Sequence, residues 1–413
     1  MAHQDFPSAS RPGAGGSATR GVLARHLLLF ALVFAAYGVE APFLPALLAE
    51  GGLSASALGL VLAAGTAMRL LSAPLAAAAA DRFGAPRLLL CGALLASALL
   101  GCGYALAGGL AALLLVHLLV SAALAPVNPL ADALAAGGRY GLVRGAGSAA
   151  FVGGTLLAGV AVADGGLVWV VWLNAGLLAL GALAVLALPM PPPRPARVPA
   201  GRREPGAARR LLARPGFRRL LLVSGLVQGS HALYGAFATL RWQEAGLAPE
   251  AIGLLWAIAV GAEVAVFLLL GPWLLRRLGP ARLAALSAGA AGLRWAAMAM
   301  TAEPMLQFAL QPLHGLTFAA LHLATIRLLA EEVPESEAAT GFALQATLGP
   351  GLGGALLTLV AGPLYAMAGA GAFWVMAALC LPAVPLALRL GSPARERAAP
   401  VPLLPAVEPR PAT

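Results

Sequence analysis

The chain has 413 residues, 60% of them hydrophobic and only 11% charged, with a formal net charge of +10 at pH 7. A soluble domain carries about a quarter charged residues, so this composition excludes an ordinary water-soluble fold and points to helices facing lipid. The positive balance is all arginine, since the sequence contains no lysine. Those arginines sit in short gaps between apolar runs, not on a solvated face interleaved with aromatics, which excludes a nucleic-acid binder.

Residues 1–20 are polar and Gly/Ser-rich, and the first apolar run is too long for a cleaved signal segment, so residues 1–24 read as a tail. Twelve apolar segments follow, each near the roughly 20 residues that a bilayer core demands. Six lie near 25–48, 55–79, 87–107, 109–134, 142–163 and 167–188. Residues 189–216, with Pro191, Pro192, Pro193, Arg202, Arg203, Arg209 and Arg210, read as a basic, proline-rich linker. The other six lie near 217–243, 250–274, 281–302, 304–330, 338–361 and 364–389, and residues 391–413 form a second tail. Helix breakers mark four segments: Pro42 and Pro45 in the first, Pro126, Asn128 and Pro129 in the fourth, Pro312 in the tenth, and Gly349-Pro350-Gly351 in the eleventh. Inside a membrane such breaks are tolerated where protein or a water-filled cavity satisfies the freed carbonyls. These four segments are therefore expected to line a central cavity.

Two blocks recur between the halves. Leu53-Ser54-Ala55-Ser56-Ala57-Leu58-Gly59-Leu60 returns as Leu247-Ala248-Pro249-Glu250-Ala251-Ile252-Gly253-Leu254, an offset of 194. Asp81-Arg82-Phe83-Gly84-Ala85-Pro86-Arg87 returns as Arg276-Arg277-Leu278-Gly279-Pro280-Ala281-Arg282, an offset of 195. Blocks flanking a helix-length apolar run mean two homologous halves in parallel orientation, the build of a large class of membrane transporters. The expected fold is an all-α membrane protein of twelve transmembrane helices in two pseudo-symmetric six-helix bundles, 25–188 and 217–390.

Arginine sets the expected orientation. One set of connections holds Arg20, Arg25, Arg82, Arg87, Arg139, Arg144, Arg276, Arg277, Arg282 and the tail from Arg389 to Arg397; the other holds only Arg241, beside Glu50, Asp164, Glu244, Glu250 and Glu303. The positive-inside rule makes the arginine-rich side cytoplasmic, with both termini inside, in a bacterial inner membrane.

Ionisable groups at mid-membrane cost roughly 2.5–3.5 kcal/mol each, so they face a cavity and a partner. Glu40, Arg69, Asp132, Glu263, Arg294 and Arg327 are of this kind, with His231, His314 and His322. Arg69 and Glu263 occupy equivalent positions in the two halves, as do Asp132 and Arg327. That suggests pairing of opposite charges around the pseudo-two-fold cavity; the alternative is that each is satisfied within its own half. Glu263, central in its segment, is the foremost candidate to carry a proton. His314 and His322 lie about 80° apart around an ideal helix and can line one cavity together. His117 reads as a hydrogen-bonded packing residue. Gln228 and His231, one turn apart, form a polar spot suited to a solute. Cys91, Cys102 and Cys380 all fall inside apolar runs. With no HExxH, CxxC, Walker or GxSxG pattern, no enzyme, metal or cofactor is expected.

Asp81-Arg82-Phe83-Gly84 with Arg87 resembles the loop signature of the major facilitator superfamily, although Ala76 and Ala77 stand where its leading glycine is usual. Within that superfamily, residues 25–385 are similar to the phenylpropionate permease family, relatives of lactose-permease-type proton symporters. The strings that carry the likeness include Tyr37-Gly38, Pro129-Leu130-Ala131-Asp132-Ala133-Leu134, Val143-Arg144 and Gln228-Gly229-Ser230-His231. Ala262-Glu263-Val264, Arg294-Trp295, Leu313-His314-Gly315-Leu316-Thr317-Phe318 and His322-Leu323 extend it. The resemblance implies uptake of an aromatic carboxylate such as 3-phenylpropionate with a proton. It also implies a coupling group of Glu263, Arg294 and His314 or His322. Departures are the lack of a mid-membrane carboxylate in the tenth segment, Ala146 in place of a tryptophan, and Glu40 where an apolar residue is usual.

The resulting expectation assigns proton coupling to Glu263, His322, His314 and Arg294, and substrate contact to Arg69, Gln228, His231, Glu40 and Asn128. Conformational switching falls to Asp81, Arg82, Asp132, Arg144 and Arg327. The partners are a small-molecule substrate, protons and the bilayer, with the chain a monomer. Two rivals are a proton-antiport exporter, with Glu40 and Glu263 binding a cation, and a non-transporting membrane sensor.

Overall fold

The computed structural model describes residues 14–135, 139–189 and 206–391. Most of the two tails and of the linker read from the sequence lies outside the described residues; a short helix, Ala207–Ala213, ends the linker. All regular structure among the described residues is helical.

The first half runs α1 (Gly21–Glu50), α2 (Ala55–Phe83), α3 (Pro86–Ala105), α4 (Gly109–Ala135), α5 (Tyr140–Gly165) and α6 (Val168–Leu186). The second half opens with α7 (Pro215–Glu244). The next continuous run, Pro249–Met300, has 52 residues. At 1.5 Å per residue it would extend about 80 Å, far beyond a hydrocarbon core of about 30 Å. It folds back at Gly279, whose φ of 74° and ψ of 163° are non-helical, giving α8 (249–278) and α9 (280–300). After α10 (Pro304–Glu332), the 54-residue run Glu335–Leu388 likewise reverses at Gly369–Gly371, giving α11 (338–368) and α12 (372–388). The described chain thus has twelve crossings.

The repeated block explains itself here. Gly84 (φ 61°) and Gly279 (φ 74°) are its two copies, and both take the left-handed conformation that a side chain disfavours. α2 and α8 must each turn sharply into the next helix, and glycine permits it. Arg87, three residues past Gly84, donates to the carbonyls of Val185 and Leu186, capping the end of α6.

In one bundle α1 packs on α5 and α6, and α3 on α4 and α6; in the other, α9 packs on α10 and α12, and α7 on α11. Large apolar side chains such as Leu71, Leu75, Leu99, Leu183, Leu268 and Leu269 remain exposed on the outside, the surface that lipid covers. The bundles meet along α2–α11, α5–α8 and α1–α7. At the arginine-poor ends the approach is backbone to backbone. A Cβ on Gly59 would stand 2.8 Å from the Gly362 Cα, and one on Gly253 would stand 2.6 Å from the Thr155 carbonyl oxygen and 3.2 Å from the Gly159 Cα. The Thr239 hydroxyl of α7 also donates to the Pro42 carbonyl of α1. The arginine-poor side is closed.

Between the bundles lies a cavity of about 590 Å³. Its lining continues along α2 to Arg69 and Ala73 and along α4 to Ala125 and Asn128, toward the arginine-rich end. Of the four breaker-bearing helices, α1, α4 and α11 contribute to the lining. α10 does not; it faces into its own bundle, which corrects the expectation for Pro312. α1 also stays helical through Pro42 and Pro45. The other three break as expected: α4 at Ala125 and Pro126, α10 at Gln311 and Pro312, and α11 in a widened turn over Thr347–Gly351.

Candidate functional site

The polar lining of the cavity comes almost entirely from the first bundle. α1 presents Tyr37 and Glu40, α2 Thr66 and Arg69, and α4 His117 and Asn128. The second bundle adds Ala232, Gly235 and Ala236 of α7 and Thr358 of α11.

Glu40 is held from behind. The Asn174 side-chain nitrogen of α6 donates to the Ala36 carbonyl at 2.9 Å and to Glu40 Oε2 at 3.2 Å. An amide nitrogen carries two hydrogens, so one group serves both acceptors. Among the described residues nothing donates to Glu40 Oε1, and that oxygen is not sealed in protein, so it opens to the cavity. Arg69 likewise makes no hydrogen bond or ion pair with a described residue. His117 is buried, with Nδ1 2.7 Å from the Tyr104 hydroxyl. A Cβ on Gly65 would fall 2.2 Å from His117 Nε2, so only glycine gives that ring its room against α2. The packing role expected of His117 holds, but the ring also faces the cavity.

The second bundle buries its charge. Arg294 of α9 is 0% exposed. It donates from one terminal nitrogen to His314 Nδ1 at 3.0 Å and from the other to Gln311 Oε1 at 3.0 Å. Its guanidinium lies 4.4 Å from the centre of the Tyr234 ring and 4.8 Å from that of Trp295. Gln311 Oε1 also accepts from the Tyr234 hydroxyl at 2.9 Å. The Gln311 amide in turn donates to the Gln307 carbonyl, and Gln307 Oε1 accepts from the Trp242 indole. On the far side, His314 Nε2 stands 3.6 Å from Glu263 Oε2. α10 comes this close to α8 because Gly315 packs on the Ala262 carbonyl, where a Cβ would be 2.6 Å away.

Donor logic fixes the protons. A guanidinium can only donate, so His314 Nδ1 must offer a lone pair. The hydrogen of a neutral ring then sits on Nε2 and points at Glu263. The imidazole bridges a buried cation and a carboxylate, and it is neutral in this state.

The remaining expected residues fall as follows. Arg69 and Glu263, equivalent by the repeat, do not pair. Asp132 pairs with Arg144 at 3.4 Å, and Arg327 with Glu331 at 3.1 Å on its own helix. Asp132 and Arg327 thus pair within their own halves, not across the pseudo-axis. Arg144 also sits 4.8 Å over the Phe34 ring. His231 belongs to the buried cluster, 3.0 Å from the Thr317 hydroxyl and edge-on to Trp295, and does not line the cavity. Gln228 is half-buried and also away from the lining. His322 is exposed and edge-on to Phe267; it makes no hydrogen bond to Arg294, His314 or Gln311 but lies near enough to Glu263 to interact with its charge. Arg82 is exposed at the end of α2, and Asp81 lies outside the described side chains.

Sequence reasoning passed over Asn174, Gln307, Gln311 and Tyr234. Two signals were there to read. Gln307, Gln311 and His314 recur at i, i+4 and i+7, one polar stripe on α10. Asn174 is the lone amide in the apolar run of α6.

The model of the MFS_1 like family matches residues 24–376. A curated protein of Escherichia coli (strain K12), named "Probable 3-phenylpropionic acid transporter", is 36% identical over 365 residues, covering 85% of this chain and 93% of that protein. The maltose permease of Geobacillus stearothermophilus is 32% identical over 367 residues, covering 86% of this chain and 90% of the permease. Among solved structures, the nucleoside transporter NupG superposes with a TM-score of 0.76 at 18% identity, covering 89% of this chain and 97% of that one.

Proposed function

Because the chain belongs to the MFS_1 like family and is a multi-pass membrane transporter, not an enzyme, we propose that it takes up a small aromatic carboxylate together with a proton. In this reading the arginine-rich side is cytoplasmic, the membrane is a bacterial inner membrane, and the chain works as a monomer by alternating access. The observation that carries it is the bridge Glu263–His314–Arg294, a titratable carboxylate wired to a buried cation.

The reason for coupling is charge. With Glu263 ionised, the buried network holds one positive and one negative charge; with Glu40 ionised, so does the cavity lining. Adding an anionic solute alone leaves an uncompensated negative charge in a low-dielectric interior, which is costly. Protonating Glu263 removes one negative charge and restores the balance. Substrate anion and proton therefore cross together more cheaply than either alone. Arg69, which makes no hydrogen bond or ion pair with a described residue, is the group to meet the substrate carboxylate. His314 holds the Nε2 hydrogen toward Glu263 and so couples its proton to Arg294. Sequence identity to a probable 3-phenylpropionic acid transporter supports the aromatic class.

The test is uptake of labelled 3-phenylpropionate into proteoliposomes under an inward proton gradient, with Glu263→Gln beside the native chain. The native protein is expected to accumulate the solute. The variant is expected to keep exchange at equal concentrations and lose accumulation by at least about 100-fold, the scale of a missing proton-transfer group. Solute extrusion under the same gradient would overturn uptake in favour of antiport.

A further inference from the structure

We infer that Glu40 is a specificity-determining residue, and that the transported carboxylate carries a second group, a hydrogen-bond donor, at the end remote from its carboxylate. This rests on the proposed uptake of a carboxylate and names a narrower class within it.

The cavity offers two handles of opposite charge. Arg69 reads an acceptor, and Glu40 Oε1 reads a donor, since an ionised carboxylate can only accept. They form no hydrogen bond or ion pair with one another, though Arg69 lies near enough to act on Glu40 through its charge. Asn174 restrains Glu40 through Oε2 and leaves Oε1 open, so the carboxylate is oriented and not merely present. A plain aryl carboxylate would satisfy Arg69 and set an apolar edge against Glu40. Stripping water from a carboxylate with nothing to replace it is expensive, so such a solute is penalised there. A solute with a donor in that place returns a charge-assisted hydrogen bond. Ala41, Leu44, Leu62 and Leu70 of the same lining suit an apolar body. A hydroxyl or an ammonium would serve as the donor, and the two are separable by experiment.

The experiment measures binding to the purified, detergent-solubilised full chain by the shift in its melting temperature, and by competition against labelled 3-phenylpropionate. The probes are 3-phenylpropionate, 3-(4-hydroxyphenyl)propionate, 3-(4-aminomethylphenyl)propionate, and the donor-only solutes 4-ethylphenol and 4-ethylbenzylamine. The native chain is expected to bind one or both donor-bearing carboxylates roughly tenfold more tightly than 3-phenylpropionate, the scale of one hydrogen bond to a charged group. Which of them gains identifies the donor. In Glu40→Gln, whose amide keeps the size of the side chain and also offers an acceptor, the ammonium preference is expected to vanish and the hydroxyl preference to shrink. In Glu40→Leu both are expected to vanish. Equal binding of all three carboxylates, or an unchanged preference in Glu40→Leu, overturns the inference and leaves carboxylate uptake standing. Binding of the donor-only solutes, with every carboxylate rejected, overturns carboxylate uptake itself.

Discussion

The two bundles descend from one repeat, yet they treat charge in opposite ways. The first spreads Tyr37, Glu40, Arg69, His117 and Asn128 along an open cavity, with Glu40 Oε1 and Arg69 unpaired among the described residues. The second turns apolar Ala232, Gly235 and Ala236 toward that cavity and seals Arg294, His314 and Gln311 into a hydrogen-bonded core beside Glu263. The difference is one of exposure: the first bundle leaves polar groups open to a cavity, whereas the second buries its arginine against His314 and Gln311. The proposed function assigns the solute to the former and the proton to the latter.

The widest contrast is between the two arginines. Arg294→Leu leaves His314 Nδ1 without a donor, leaves Gln311 Oε1 with the Tyr234 hydroxyl alone, and removes the buried cation on the far side of His314 from Glu263. Removing one partner of a buried pair costs about 3–5 kcal/mol. Thermal unfolding in detergent is expected to fall sharply, and Arg294→Lys to restore little, because lysine lacks the fork that reaches two acceptors. Arg69→Leu removes no hydrogen bond or ion pair with a described residue, at an exposed position, so its stability is expected to change by about 0.5 kcal/mol, while binding of carboxylates is lost. Equal destabilisation by the two would erase the distinction between the halves.

Next in size is closure of the arginine-poor side. A leucine at Gly253 cannot coexist with a Thr155 carbonyl that would lie 2.6 Å from its Cβ. The bundles are expected to be wedged apart there. A shift of about 1.4 kcal/mol in the open–closed balance is tenfold in population. The measurement is labelling of Ala41→Cys, on the cavity wall, by a membrane-impermeant thiol reagent added from the arginine-poor side. The background lacks Cys91, Cys102 and Cys380. A roughly tenfold rise is expected on adding Gly253→Leu; no rise would mean that these glycines do not hold the closure.

Much of the architecture was legible in the sequence because it follows from backbone necessity. The offsets at Gly59/Gly253 and Gly84/Gly279 survive in both halves, since the first pair permits close crossings and the second sharp turns. The twelve segments were visible because a bilayer demands helix-length apolar runs, whereas the grouping of Glu263 with Arg294 and His314 was implied by the resemblance to lactose-permease-type carriers and not by charge placement. Partner choice was less legible. Equivalence of Arg69 with Glu263 suggested a pair, but equivalent positions in a parallel repeat sit on opposite sides of the pseudo-axis, and each charge found a neighbour, or none, in its own bundle. The Asn174–Glu40 contact spans 134 residues. Nothing local in either helix specifies it; only the packing of α6 on α1 does.

That contact supports a finer test. Asn174→Leu removes the amide that holds Glu40 Oε2 and frees the side chain to rotate. One hydrogen bond is worth about 1 kcal/mol net, so affinity for the transported solute is expected to fall roughly fivefold. Titration of tryptophan fluorescence reads this directly. An unchanged affinity would mean that the solute itself, and not Asn174, orders the carboxylate.

The smallest effect is expected where the sequence suggested a switch. Asp132 and Arg144 stand 3.4 Å apart, with side chains 35% and 41% exposed. A pair so open to solvent contributes at most about 1 kcal/mol, because water competes and two side chains must be ordered. Arg144 also spends part of its interaction on the Phe34 ring. A double-mutant cycle of Asp132→Asn and Arg144→Gln, read by thermal stability, is expected to give a coupling within that limit. A larger coupling in transport rate than in stability would show that the pair acts on the opening step and not on the resting state. It would then belong with the buried network of the second bundle, as a charge whose partner matters to the cycle, and the division between the halves would need redrawing.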